Sequence, residues 1–120
     1  MVVTVFGMSK NAIVLSNKSL TCKLKCVDIL YIGQNNGNLI FSTKMRELVT
    51  PGRIDDIVKN FSDDFYRCHK YLVVNVDNVE SMQKTEIVFC TGKKHYLGKN
   101  NFSQTRKAYR QYLKERYIEI

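Results

Sequence analysis

Three hydrogen-bond donors, Arg67, His69 and Lys70, cluster in the stretch Phe65-Tyr66-Arg67-Cys68-His69-Lys70-Tyr71-Leu72-Val73-Val74-Asn75. An aromatic pair precedes them and an apolar run follows. Tyr71 to Val74 reads as a strand buried on both faces, because aromatic and β-branched residues suit a packed, pleated surface. The donors then stand where that strand emerges from the core, and a rigid strand end is a good platform for aiming donors at an anion. Isolated charges at strand ends are more often simply solvated, so the stretch alone does not decide. Catalysis finds less support. Cys68 and His69 are neighbours on a strand, so their side chains diverge and form no dyad. His95 has no acid or amide evidently placed to orient it. Asp55 and Asp56, adjacent on a helical pattern, point in different directions. No glycine-rich phosphate cradle or zinc hydrolase motif is present. The expectation is a binding protein, not an enzyme, with no cofactor.

Cys22, Cys26, Cys68 and Cys90 lack the two tight pairs of a tetrahedral zinc site, so no metal is expected. All four fall in alternating or apolar patterns and read as buried free thiols. Cys68 is the exception to watch, since Arg67 and Lys70 beside it are of the kind that lower a thiol pKa.

The formal net charge is +8, and it is unevenly placed. Between Lys84 and Arg116 stand nine basic residues against Glu86 and Glu115, whereas the preceding part is nearly balanced. A one-sided basic third points to a polyanion, most often nucleic acid. A membrane surface would prefer a helix with a broad apolar face, which the terminal helix only partly offers.

The residues around the donors add a resemblance. Phe65-x-Arg67-Cys68-His69, followed by an apolar run closing on Val74-Asn75, resembles the signature of the LytTR DNA-binding domain, near its accessory gene regulator branch. Asp28-Ile29-Leu30-Tyr31-Ile32 upstream and Asn75-Val76-Asp77-Asn78-Val79-Glu80-Ser81 downstream extend it, from about Ala12 to Thr105. The resemblance implies a mainly β fold of stacked small antiparallel sheets, about ten strands, with a short helix and a C-terminal helix. It implies sequence-specific binding of double-stranded DNA at promoter direct repeats, with loops reading major grooves and the duplex bent. It also implies the output half of a two-component response regulator, with a receiver domain before it. The implied DNA-binding residues are Asn36 and Asn38 in one loop, Arg67, His69 and Lys70 in the second, and Lys99, Asn100 and Asn101 in the third. Two positions depart from the family pattern: Gly98 stands where a serine is common, and Tyr71 follows the His-basic pair where many members have serine. Lys99 keeps one cation after Gly98, and Asn100 offers an amide suited to adenine. A basic RNA-binding module and a protein-interaction domain are the alternatives. The first predicts exposed stacking aromatics on a sheet face, whereas most aromatics here lie in core-like patterns.

Strands are expected at Val2–Phe6, Ala12–Leu15, Leu20–Cys26, Asp28–Ile32, Leu39–Thr43, Glu47–Thr50, Val79–Met82, Glu86–Cys90 and Lys94–Leu97. Asn36-Gly37 marks a hairpin. Thr50 as N-cap and Pro51 at the first helical position open a short helix to Asn60, with Ile54, Ile57, Val58 and Phe61 on one stripe. Asn101 and Gln104 form a capping-box pattern for a second helix, Phe102–Arg116. Phe102, Tyr109, Tyr112, Leu113 and Tyr117 form its apolar stripe. Lys107 and Arg110 lie on its polar face, where phosphate contacts at most are expected. Residues 1–11 read as a leading strand or linker remnant and 12–120 as one domain. Apolar runs are too short for a membrane span and the N-terminus lacks a signal peptide, so a cytoplasmic domain is expected; the resemblance and the polar surface imply a monomer that binds in tandem on DNA.

Overall fold

The computed structural model describes residues 5–16 and 18–118, so Val2–Thr4 of the first expected strand lie outside the described residues. Among the described residues eleven strands form three antiparallel sheets. The first is a meander of β1 (Val5–Met8), β2 (Ala12–Ser16) and β3 (Thr21–Lys25). The central sheet holds β4 (Ile29–Asn35), β5 (Asn38–Thr43), β6 (Glu47–Pro51), β7 (Phe65–His69) and β8 (Leu72–Asn75), in the order β6-β5-β4-β8-β7. The third is β9 (Val79–Gln83), β10 (Glu86–Phe89) and β11 (Lys94–Tyr96), followed by α1 (Lys99–Arg116).

The central sheet is covered on both faces, which is why β8 is buried throughout. On one face Ile29, Ile32, Leu39, Phe41 and Val73 pack against Ile13, Leu15 and Leu24 of the first sheet and against Ile54 and Ile57. On the other, Cys68, Leu72 and Val74 meet Ile87 and Phe89 of the third sheet and the Phe102, Tyr109 and Tyr112 side of α1. The Leu20–Cys26 alternation is realised from Lys23 onward: Leu24 and Cys26 are buried and Lys23 and Lys25 exposed.

Two buried asparagines lock the layers. The Asn75 Nδ2 donates to the carbonyls of Cys26 and Ile29, each at 3.1 Å, and its Oδ1 accepts from Asp77 N–H at 3.1 Å. The Asn78 Nδ2 donates to Val27 O at 2.9 Å and Ile29 O at 2.8 Å. Both side chains thus satisfy a 3₁₀ turn, Cys26–Asp28, that no regular ladder could reach.

Two expectations need correction. Pro51–Asn60 is not a continuous helix. Thr50 and Pro51 end β6, an edge strand that tolerates a proline. Gly52 turns the chain at φ 151°, and two 3₁₀ turns follow, Ile54–Asp56 and Val58–Asn60, broken at Ile57 (φ −121°). The apolar stripe still faces the core, because residues three apart also align on a 3₁₀ turn. The terminal helix starts at Lys99, not Phe102. Phe102 N–H donates to Gly98 O at 2.8 Å, so Asn101 already lies inside the first turn and Gly98 is the cap.

Candidate nucleic-acid interface

The β7–β8 turn is built from within. A register shift between Arg67 and His69 leaves Arg67 opposite Val73 and His69 opposite Leu72. The Arg67 Nη2 donates to Lys70 O at 2.6 Å and pairs with the Asp55 carboxylate at 2.8 Å. Asp55 lies in the Ile54–Asp56 3₁₀ turn, and the Arg67 hydrogen bond is the main cause holding its carboxyl below the usual value. Arg67 therefore braces the turn. Lys70, at the apex, is exposed, with its Nζ 5.6 Å from the Tyr71 ring centroid.

The His69 Nδ1 accepts the Tyr71 N–H at 3.1 Å. That fixes the tautomer: Nδ1 is bare and the proton sits on Nε2, leaving a neutral ring with one free donor. Burial, with Arg67 adding to it, lowers the His69 pKa. His95 is lowered too, by burial first and then by His69 and Lys93. His95 packs against Tyr31 (centroids 5.0 Å), and the Lys93 Nζ sits 5.2 Å from the Tyr31 ring centroid while donating to Ser42 Oγ at 2.9 Å and pairing with Glu47. Burial pulls the Lys93 ammonium down, but Glu47 and Tyr31 outweigh it and hold its pKa above the usual value.

A histidine whose folded pKa is lowered stabilises the fold fully above its unfolded value, roughly 6.5, and loses that contribution as pH falls through the lowered value. The urea midpoint is therefore expected to fall between about pH 7.5 and about pH 5, and His95→Gln to flatten the dependence. An unchanged pH slope in that variant would place the effect elsewhere.

The other expected residues gather at the same end of the central sheet. Asn36 and Gly37, at φ 50° and 77°, form the tight β4–β5 turn, with both residues in the left-handed region that asparagine and glycine suit. Gln34 N–H donates to Tyr71 O at 3.0 Å, joining this hairpin to the β7–β8 turn. Asn36 is exposed at the tip, while Asn38 is half-buried at its base opposite Pro51. α1 runs antiparallel to β7: Arg116 pairs with Asp64 at 2.8 Å, just before β7, and Thr105 lies beside Cys68 near its end. Its first turn therefore sits beyond His69. There Lys99 and Asn100 are exposed and Asn101 half-buried, on a helix end with no acidic residue and no side-chain cap. Arg53 was missed by sequence reasoning. It is exposed at the same end, because Gly52 N–H donates to Gly37 O at 3.0 Å. Lys93 and His95, which pack from the third sheet against Tyr31 of the central sheet, were also missed as supports. Only the β4–β5–β6 register and the packing of the third sheet reveal these three.

The cysteines differ from expectation. Cys90 is exposed and Cys22 half-buried, not buried. Burial pushes the Cys68 thiol up to about 11, the reverse of activation, because it lies inside the layer and not among the cations. Alkylation near neutral pH, read by mass spectrometry, is expected to modify Cys90 well before Cys68; equal rates would contradict the burial. Among the described residues no three His, Cys, Asp or Glu side chains gather as a metal site, and no helix is long and apolar enough to cross a membrane.

The family model described as the LytTr DNA-binding domain matches residues 19–110. Among solved structures, the chain is similar to the LytTr DNA-binding domain of a putative methyl-accepting/DNA response regulator from Bacillus cereus. The TM-score is 0.69 at 14% identity, covering 83% of this chain and 97% of that one. No curated protein matches the sequence.

Proposed function

The chain belongs to the LytTR family of DNA-binding domains, whose role is transcription-regulator output, and from that premise we propose that it binds double-stranded DNA sequence-specifically at promoter direct repeats. The observation that carries this reading is the shared end of the central sheet. Asn36, Arg53, Lys70 and the adjacent Lys99 and Asn100 emerge there, from four segments, as exposed amides and cations. Amides and cations are the side chains that read adenine and guanine edges in a major groove. Mounting them on turns spreads them across successive grooves, in place of a recognition helix, and bends the duplex toward them. Arg67 and the hairpin bond to Tyr71 hold the turns rigid, so the geometry is set before binding. His69 contributes its Nε2–H, and Asn38 and Asn101 support their loops and contact phosphate. In the cell the domain serves a response regulator in the cytoplasm, with a receiver domain ahead of it, and binds repeats as tandem monomers.

Selection from a random duplex pool tests this. The expected result is a motif repeated in direct orientation at a spacing near ~10 bp or a multiple of it, which places both copies on one face. A gel shift that favours single-stranded RNA over the selected duplex would overturn the reading. A stable dimer in sedimentation at micromolar concentration would overturn the tandem-monomer part.

A further inference from the structure

α1 carries a second basic surface, distinct from the turns. Its inner side, with Phe102, Thr105, Tyr109 and Tyr112, is packed on the sheets. Its outer side presents Arg106, Lys107, Arg110 and Lys114, all exposed, along a shallow groove of about 440 Å³ that Ser103 and Gln111 complete. None of these four cations forms an ion pair among the described residues. The nearby acids are engaged elsewhere: Glu115 accepts from Gln111 Nε2 at 3.2 Å, and Asp64 pairs with Arg116. Arg106, Arg110 and Lys114 repeat every fourth residue, an arrangement in which like charges weaken a helix. A solvated face ordinarily intersperses the two signs, and this one does not.

The helical pitch joins this surface to the reading end. At ~100° per residue, Lys99 falls within the same ~100° stripe as Arg106, Lys107, Arg110 and Lys114. One cationic track therefore starts among the base-facing turns and runs along α1 for ~22 Å. We infer that this track holds the phosphate backbone of duplex DNA flanking the recognised site, on one side only, independently of its sequence. The inference rests on the DNA-binding reading above. At ~3.4 Å per base pair the track spans about six base pairs. An anionic membrane is the weaker occupant. It needs an apolar face beside the cations, and that face of α1 is already packed on the sheets; among the described residues only Tyr117 and Ile118, at the far end, are exposed apolar residues beyond it.

The experiment compares the selected site as a minimal duplex with the same site extended by about eight random base pairs on either flank. Binding is followed by fluorescence anisotropy at several salt concentrations. The wild-type chain is expected to gain about tenfold from one flank, whatever its sequence, and nothing from the other. The triple variant Lys107→Gln/Arg110→Gln/Lys114→Gln, with its folding checked by circular dichroism, is expected to lose that gain. On the extended duplex its slope of log K against log salt should fall by about two to three, while the minimal duplex should bind nearly as before. Equal flank gain in the variant overturns the inference, as does the absence of any gain in the wild type. In the latter case binding to the minimal site would leave the DNA-binding reading intact, whereas no binding to any duplex would remove both. Loss of binding to phosphatidylserine vesicles in the variant, with flank gain unchanged, would assign the stripe to a membrane instead.

Discussion

Asn75→Ala is expected to destabilise the fold by about 2–3 kcal/mol, measured as the change in free energy of urea unfolding. The side chain is 2% exposed and makes three hydrogen bonds, to Cys26 O, Ile29 O and Asp77 N–H. The loss is not the sum of three orphaned groups. Cys26 O also accepts the Ile29 N–H, and Ile29 O keeps its bond from Asn78. What remains uncompensated is the Asp77 N–H and a hole between two layers. Asn75→Asp separates hydrogen bonding from volume. It keeps the shape but sets a carboxylate against two carbonyl oxygens, so at neutral pH it should destabilise more than alanine does. That buried carboxyl favours its protonated form, so its folded pKa lies above the unfolded one. The penalty therefore shrinks as pH falls from the folded value toward the unfolded value. A neutral-pH loss smaller than that of Asn75→Ala would mean that volume, not the donor pair, holds the layers.

The same residue shows where a sequence stops being legible. Local periodicity reported what it directly encodes: the alternation over Lys23, Leu24, Lys25 and Cys26, the Asn36-Gly37 turn and the buried run of Leu72, Val73 and Val74 appear as expected, while Leu20 and Tyr71, at the starts of their runs, are exposed. Long-range hydrogen bonds leave no local trace. The Asn75 bond to Cys26 spans 49 residues, and nothing near Asn75 names its acceptor. Where two conformations share a period, the period cannot choose between them. Ile54, Ile57 and Phe61 face the core equally well from 3₁₀ turns as from a helix, and the choice falls to Pro51, held in β6 by pairing opposite Asn38. Cys90 reads as buried at the end of an apolar run, yet β10 ends at Phe89 and leaves it outside. At the interface, residue types identified the donors but not their division of labour. Arg67 and Lys70 are alike in charge and three residues apart. Only the register shift in β7 and the position of Asp55 reveal that one faces inward to support the other.

That division makes the second large effect. Lys70→Ala is expected to cost roughly 1–3 kcal/mol on the selected duplex and to relax the preference at one base position, since an apical lysine donates to guanine O6 and N7. Its unfolding free energy should barely change, because Lys70 is exposed and its carbonyl, not its side chain, serves the turn. Arg67→Ala should lose both. Removing the guanidinium frees the Lys70 carbonyl and the 3₁₀ turn at once, so stability is expected to drop by about 1–2 kcal/mol and affinity to fall with it. Arg67→Lys should restore little: one nitrogen, Nη2, meets both acceptors from a rigid, planar group, and an ammonium on lysine's shorter, flexible stem is not held at that position. Anisotropy on selected and scrambled duplexes, run beside urea unfolding, resolves the two roles. A base reader loses affinity on the selected duplex far more than on the scrambled one. Equal loss on both by Lys70→Ala would make Lys70 a phosphate anchor. A specificity change in Arg67→Ala without loss of stability would move base reading to Arg67, and the turn would then need another brace.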